Sequence, residues 1–520
     1  MLHKSGNRLL TFNLLLLNYK YKKYTGKAKT MERKSYQVKD PRNLSILTDF
    51  YELTMANGIF QSPLRDIVCV YDVFFRRVPD QGGFAIFCGL EQAIDYLENL
   101  SFTDDDIEYL RERGIFCEEF LQYLRNFEFK CNVWAMPEGT PVFPKEPMMV
   151  VEGPAIQAQM LETALLILMN HQTLIATKAN RIVRSAMGRP VQEFGARRAQ
   201  GVDAANYGTR ACYIGGCVSS SNTMMERDML IPAGGTMAHA WVQMFPNEYE
   251  AFKTFAEKYP DSTVLLIDTY NVLKSGIPNA IKVFDEVLKP MGKRPVGVRI
   301  DSGDIAYLSK QARIMLDEAG YPDCKIVASN SLDEYIIRDL LINDAKIDSF
   351  GVGECMITSK TTPVLGGVYK LTAVKKEDGS YEPKIKISAS IEKITLPYKK
   401  QVYRIYDKAT GKATADYISI WDENVDLEPK EMTIFSPTEP WKRQTLENIE
   451  LKPLLVPVFV DGKKVYESPS IAEIKTFCAQ QIDTLWDEVK RLEYPHVYYV
   501  DLSEKLWLEQ MRLLNEKQNG

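Results

Sequence analysis

The sequence predicts an α/β protein whose centre is a β/α barrel, with an α/β domain before it and a smaller β-rich and helical region after it. Three observations carry that reading. Four apolar strands, Val264–Tyr270, Val296–Asp304, Lys325–Ser331 and Ser349–Met356, begin 32, 29 and 24 residues apart. Helix-like segments such as Ile305–Gly320 fill the gaps, which is the crossover length that parallel strands require. Each strand also ends in polar residues, and in a barrel all strand C-termini open on one face. Asp268, Thr269, Arg299, Asp301, Asp304, Ser329, Asn330, Gly351, Gly353 and Glu354 are therefore expected to converge there. The competing reading is that each Asp or Ser only caps the helix that follows it.

The other elements follow in chain order. Residues 1–36 read as an extension: the first 30 residues hold seven Lys or Arg, no acid, and an apolar run at Leu9–Leu17. That run is too short to span a bilayer and lacks a cleavage pattern, so a disordered or targeting-like segment is expected, with Met31 as a second plausible beginning. An N-terminal α/β domain is expected over 37–153. In it, SILTDFYELTMANGIF reads as a helix with Ser45, Thr48 or Asp49 as cap, Val68–Arg77 and Gly82–Gly89 contain strands, and Glu138–Gly153 holds two short strands. The barrel is expected over 154–371, opening with a long helix at Gln157–Arg184 that is apolar on nearly all sides in its first half. In the last region, 372–520, EDGSYEP and DKATGKA mark hairpins, and IAEIKTFCAQQIDTLWDEVKRL reads as an amphipathic helix before a charged tail.

Composition narrows the class. A chain of 520 residues with 45% hydrophobic and 26% charged residues is an ordinary globular protein of two or three domains. Its net charge of −5 argues against nucleic-acid binding, which depends on Lys and Arg. Nine scattered cysteines without a C-x-x-C pair suit a reducing, cytoplasmic setting, and Cys212 and Cys217 read as structural thiols. Four histidines without an H-E-x-x-H motif argue against a bound transition metal, whereas a Mg²⁺ held with substrate phosphates would leave no signature.

Three segments carry candidate chemistry outside the simple strand tops. In Gly234–Ala240 (GGTMAHA) the glycines allow close backbone approach to a ligand, beside Thr236 and His239. His171 lies in the apolar helix and reads as structural. In Glu193–Gly201 (EFGARRAQG), Arg197 and Arg198 follow a probable strand; paired arginines often mark a solvated face, but guanidinium suits phosphate or carboxylate. Gly351, Gly353, Glu354 and Thr358 resemble an anion-binding loop after a late barrel strand, where backbone N–H groups and a helix dipole hold phosphate.

Taken together, LTDFYELTMANG, FFRRVPDQGGFAIFCGL, EFGARRAQG, GGTMAHAW, VGVRIDSGD, ASNSLDE and FGVGECMIT resemble, in this order, the nicotinate phosphoribosyltransferases, over about Asn43 to Asp407. The resemblance implies a type II phosphoribosyltransferase fold: an irregular α/β barrel with a companion domain, in a homodimer whose active sites lie between subunits. It implies that nicotinate and 5-phosphoribosyl 1-pyrophosphate give nicotinate mononucleotide and pyrophosphate, with ATP hydrolysis coupled and Mg²⁺ on the phosphates, as the first step of NAD salvage from nicotinate. It also implies roles: His239 as the histidine phosphorylated by ATP, Thr236 and Arg299 around nicotinate, Tyr51 as the partner's aromatic beside the pyridine, and Gly351 and Gly353 in the 5′-phosphate loop. Arg197, Asp301, Asp304 and Asn330 match positions lining the phosphoribosyl pocket, with Asp268 and Ser221 near the bound substrates.

Two stretches depart from the family pattern. Ser219-Ser220-Ser221-Asn222 stands for a G-T-S-N-like loop, and Pro397-Tyr398 stands for a frequent Pro-Gly. Three rivals are weighed against the reading. A nicotinamide-using relative would carry an aspartate where this chain has Ser221. A sugar-phosphate aldolase would need a lysine at a strand end, and none of the four strands has one. A non-catalytic nucleotide-binding protein of this fold would lack His239 or the paired arginines.

Overall fold

The protein is described by a computed structural model over residues 42–519, so the extension expected at 1–36 lies outside the described residues. Six parallel strands form the central sheet: Val191–Glu193, Ser219–Ser220, Val264–Leu266, Gly297–Ile300, Lys325–Ser329 and Ser349–Val352. Across the sheet, 219–220 lies beside 191–193, followed by 349–352, 325–329, 297–300 and 264–266. Every neighbour in space is thus a neighbour in the cyclic order of the chain, as in a barrel, except for one open seam between 219–220 and 264–266.

The seam is where GGTMAHA lies. Ala233 bridges in parallel to Ser220, and the backbone N–H of Gly234 donates to the Ser220 carbonyl at 2.8 Å. From there the chain crosses to the far side, where His239 Nδ1 lies 3.1 Å from Thr269 Oγ1, just past the Val264–Leu266 strand. The irregular barrel inferred from the sequence is therefore a row of six strands whose gap is spanned by this segment.

Alternation along each strand separates core from site. In Gly297–Ile300, Val298 and Ile300 are fully buried and pack in one cluster with Phe252 and Leu316 of the flanking helices. Arg299 and Asp301 occupy the alternate positions and turn toward the barrel mouth, where their side chains pair. The crossover helix Ile305–Glu318 starts at Asp304, whose side chain accepts from the Tyr307 N–H at 3.0 Å.

Order along the chain is not order in space. One seven-stranded antiparallel sheet runs 381–383, 368–375, 68–74, 149–154, 132–135, 456–460, 463–464, joining strands from both ends of the chain. Its Val368–Lys375 strand runs through residue 371, where the sequence placed a border. A second, four-stranded sheet contains the Lys400–Asp407 and Ala413–Ile420 hairpin that DKATGKA marked.

Four local expectations are corrected. The first helix runs Phe50–Phe60, and Asp49 at its N-cap makes no capping hydrogen bond; Thr48 Oγ1 instead donates to Glu52 at 2.5 Å. The long helix starts at Glu162, after a break at Met160–Leu161, and its polar second half is its more deeply buried part. Lys178 and Arg181 are both 2% exposed, because buried carboxylates meet them. The charged tail is a strand, Tyr499–Leu502, which adds in parallel to 415–418, followed by the helix Glu504–Asn519.

All nine cysteines are free thiols, and Cys212 and Cys217 are buried. Among the described residues, no helix is long and apolar enough to cross a membrane.

Candidate active site

Arg299 organises the barrel mouth. Its guanidinium donates from Nε to Ser329 Oγ at 2.8 Å, from Nη1 to Thr236 Oγ1 at 3.0 Å, and from Nη2 to Asp301 Oδ1 at 2.9 Å. Three separate chain segments thus meet on one fork of donors. Asp301 also accepts a short hydrogen bond from Ser329, and its second oxygen, Oδ2, lies 3.8 Å from His239 Nε2. Burial pushes the Asp301 carboxyl up, but the hydrogen bonds from Ser329 and Arg299 and the Arg299 charge outweigh it. The carboxyl is held below its usual range, and so it is ionised.

Asp268 works beneath this layer. Its Oδ2 accepts from the Asp301 backbone N–H at 3.1 Å and from Ser302 Oγ at 2.5 Å, which fixes the turn after the Arg299 strand. Glu193 plays a similar part for EFGARR: it accepts from Ser220 Oγ at 2.5 Å, from Thr209 Oγ1 at 3.0 Å and from the Gly195 N–H. Burial raises its pKa, with these donors opposing the rise.

A cleft of about 630 Å³ opens beside Arg299 and Asp301. Its charged lining is five cations, Lys178, Arg197, Arg198, Arg299 and Lys360, against three carboxylates, Asp301, Asp333 and Glu354. On a chain of net charge −5 this is a local positive excess, which suits an anionic ligand. Phe194 supplies an aromatic wall, with the Arg299 guanidinium 5.9 Å from its ring centroid. Gly351 must lack a side chain here, since a Cβ would sit 2.4 Å from the Phe194 ring.

The structure brings Arg197, Arg299, Asp301, Asn330, Gly351, Gly353 and Glu354 to the cleft, with Thr236 and His239 joined to it through Arg299 and Asp301. Asn330 adopts a left-handed backbone, φ 77°. Other predicted residues stand elsewhere. Asp304 is a helix cap, as the bland reading held. Thr358 donates to the Glu354 carbonyl and borders a neighbouring depression, not the cleft. Ser221 is exposed, and its backbone N–H donates to the Glu193 carbonyl. Tyr51 is 46% exposed on the first helix and does not line the cleft of its own chain. His171 is partly buried, its pKa is lowered by that burial, and it does not line the cleft.

The helix after Gly353 is a single turn, Glu354–Ile357, so few peptide dipoles add there and the side-chain cations dominate. Sequence reasoning missed Lys178, Asp333 and Thr361 as cleft residues. Asp333 was legible in principle, because Ser-Leu-Asp-Glu before an apolar run signals a cap, and Asp333 accepts from the Tyr335 and Ile336 N–H groups. Lys178 had no such signal, since a lysine on a helix usually faces water.

A barrel-like α/β fold with arginines, a histidine–carboxylate contact and a glycine-rich loop at its strand C-termini defines a barrel enzyme with an anion-binding mouth. Comparison with known proteins makes the class specific. Residues 46–170 match the nicotinate phosphoribosyltransferase N-terminal domain, 190–409 the nicotinate phosphoribosyltransferase family, and 399–510 the C-terminal domain of that enzyme. A Bacillus subtilis nicotinate phosphoribosyltransferase is 44% identical over 484 residues, covering 92% of this chain and 97% of its own. The crystal structure of human nicotinic acid phosphoribosyltransferase superposes with a TM-score of 0.78 at 28% identity, over 90% of this chain and all (100%) of that one. A nicotinate-nucleotide pyrophosphorylase structure from Pyrococcus furiosus gives 0.66 at 25% identity, over 85% of this chain and 96% of that one. The chain belongs to the nicotinate phosphoribosyltransferase family, and it is an enzyme of that family.

Proposed function

We propose that the cleft joins nicotinate to 5-phosphoribosyl 1-pyrophosphate, giving nicotinate mononucleotide and pyrophosphate, the entry of nicotinate into NAD salvage. The observation that carries this reading is the Arg299 fork. It is tied to two hydroxyls and one carboxylate, faces a positive cleft and stands beside the Phe194 ring. A flat aromatic acid fits that combination: its ring against Phe194, its carboxylate on guanidinium.

In the transfer, the nicotinate ring nitrogen forms a bond to C1 of the ribose while the C1–O bond to pyrophosphate breaks, its electron pair leaving with the pyrophosphate. Positive charge develops on the sugar, and the ionised Asp301 is the carboxylate assigned to stabilise it. Arg197, Arg198 and Lys360 hold the phosphates, with Gly351 and Gly353 letting the backbone approach and Asn330 at the ribose side. Among the described residues no cluster of three or more His, Cys, Asp or Glu is placed to hold a metal ion. Asp301, whose Oδ1 is the oxygen engaged by Arg299 and Ser329, would hold Mg²⁺ together with the substrate phosphates, and the ion would neutralise the leaving pyrophosphate.

His239 is the proposed acceptor of the ATP γ-phosphoryl group, with ADP leaving and water later releasing phosphate. Thr269 engages Nδ1 and leaves Nε2 turned toward Asp301. Tyr51, exposed on the first helix, is assigned to the neighbouring subunit's site in a homodimer. The nine free thiols favour a reducing compartment, the cytoplasm.

The test is formation of nicotinate mononucleotide by the purified chain with Mg²⁺, with and without ATP, in wild type and His239→Ala. Wild type is expected to be stimulated by ATP, and the variant to retain ATP-independent synthesis without stimulation. Acid-labile, alkali-stable labelling from γ-labelled ATP that persists in His239→Ala would remove the histidine assignment.

A further inference from the structure

Under the cleft lies a buried cluster of charges that the reaction above does not use. Lys178 Nζ, on the long helix, donates three hydrogen bonds of 2.9 Å each, to Asp80 Oδ2, Glu334 Oε1 and Thr361 Oγ1. All three protons of the ammonium are spent, so Lys178 holds protein groups and has none left for a ligand. Asp80 completes the knot. Its Oδ1 accepts from Thr361 Oγ1 at 2.6 Å and Thr362 Oγ1 at 2.8 Å, and its backbone N–H donates back to Thr362 Oγ1 at 3.2 Å. The carboxylates and the ammonium are at most 6% exposed.

The connections decide what this cluster does. Thr361 and Thr362 lie past the helical turn Glu354–Ile357, in the segment that leaves the Ser349–Val352 strand. Glu334 follows Asp333 in the segment after the Lys325–Ser329 strand, where Asn330 and Ser331, left-handed with φ 77° and 50°, line the cleft beside the paired Ser349–Val352 strand. Both cleft-lining segments are thus tied to one ammonium. Asp80 reaches it from a turn in which Asp80 and Gln81 are themselves left-handed, φ 53° and 51°, an uncommon conformation for residues other than glycine. Burial raises the Asp80 carboxyl, but hydrogen bonds from Thr361 and the Lys178 charge outweigh it and keep it ionised. Backbone strain held by buried charge next to a ligand cleft is a pattern found where geometry matters to function.

We infer that Lys178 and Asp80 are positioning residues that set the spacing between the 330–333 and 351–362 loops, and so the affinity for the phosphoribosyl substrate. This rests on the phosphate reading of the cleft. The threonine hydroxyls are the least disruptive place to cut the link, since they add little to the core. In Thr361→Val/Thr362→Val, KM for phosphoribosyl pyrophosphate is expected to rise about tenfold or more, the scale of lost hydrogen bonds to charge, while KM for nicotinate stays within about twofold. Thr361→Ser/Thr362→Ser, which keeps both hydroxyls, is expected to restore the wild-type value. Lys178→Met is expected to shift the same parameter further.

An unchanged KM for phosphoribosyl pyrophosphate in a folded Val double variant, or an equal rise in both KM values, would overturn the inference. A wild type that forms no product from these substrates removes the reading of the site and this inference with it. Turnover by wild type with unaltered KM in the variant removes the inference alone.

Discussion

Two arginine–aspartate pairs, one in the barrel and one in the four-stranded sheet, look alike on paper and behave as opposites. Arg404 grips Asp416 with two parallel bonds, Nε to Oδ1 at 2.8 Å and Nη2 to Oδ2 at 2.6 Å, and neither side chain is exposed at all (0%). Phe143 and Tyr498, stacked with centroids 3.9 Å apart, lie beside it, and Tyr498 adds a hydroxyl to Asp416 at 3.0 Å. Arg299 gives Asp301 one bond only and spends its others on two hydroxyls and the Met237 carbonyl, and the pair is 15% and 24% exposed. The sealed pair is closed to any ligand, even though Arg404 Nη1 is left buried without a hydrogen-bond partner. The open pair can trade hydroxyl partners for a ligand carboxylate, so access and exchangeable partners, more than the ion pair itself, mark the functional site.

The comparison is broken most severely by removing the sealed arginine. Arg404→Met leaves Asp416 buried without its counter-charge, and such a loss costs about 3–5 kcal/mol. Denaturant unfolding is expected to show that loss, with the folded fraction keeping wild-type KM values. An intact Tm would mean that the pair is not sealed as described.

A second test concerns Tyr51, which belongs to neither region of its own chain. Tyr51→Ala and Arg299→Leu are each expected to turn over nicotinate poorly as homodimers. A mixed dimer then has one site with both lesions and one with neither, and activity is expected to return toward half. No recovery after verified subunit exchange would place both residues in one chain's site.

The smallest effect is expected from a sealed carboxyl with no cation to hold it. Burial pushes Asp501 up to about 7. The folded state therefore binds this proton more tightly than the unfolded chain, whose aspartates titrate near 3.9, roughly the model-peptide value. Stability from this group is complete below that value and is lost as pH rises toward 7. Asp501→Asn is expected to flatten the fall of Tm over that window and to raise Tm at pH 8; an unchanged slope would refute the assignment.

What the sequence made legible follows the same division. Strand tops announce themselves, because an apolar run ending in Asp, Ser or Gly changes character within one residue, and Arg299, Asp301, Asn330 and Gly351 were found that way. The Ser219–Ser220 strand is too short to show any period, so the seam spanned by GGTMAHA was invisible. Lys178 and Asp80 were missed because their partners lie 98 residues apart in the chain, and no local pattern records such a contact. The strand Tyr499–Leu502 was read as tail for a similar reason: its charge is local, whereas its pairing with 415–418 is not. Tyr398 shows the reverse case. It takes φ 69° where the family pattern has glycine, and it is held there by its N–H to the Thr372 carbonyl at 2.8 Å and its hydroxyl to Glu509 at 3.1 Å.

The central claim is that the open Arg299 fork reads the carboxylate of nicotinate. It is tested most directly by kcat/KM for nicotinate and for nicotinamide in wild type and Arg299→Leu. A charge-assisted pair contributes roughly 1.5–3 kcal/mol, so the variant is expected to lose about 10- to 150-fold of its preference for nicotinate. Equal losses for the two substrates would contradict the claim and assign Arg299 to the phosphates or to the fold.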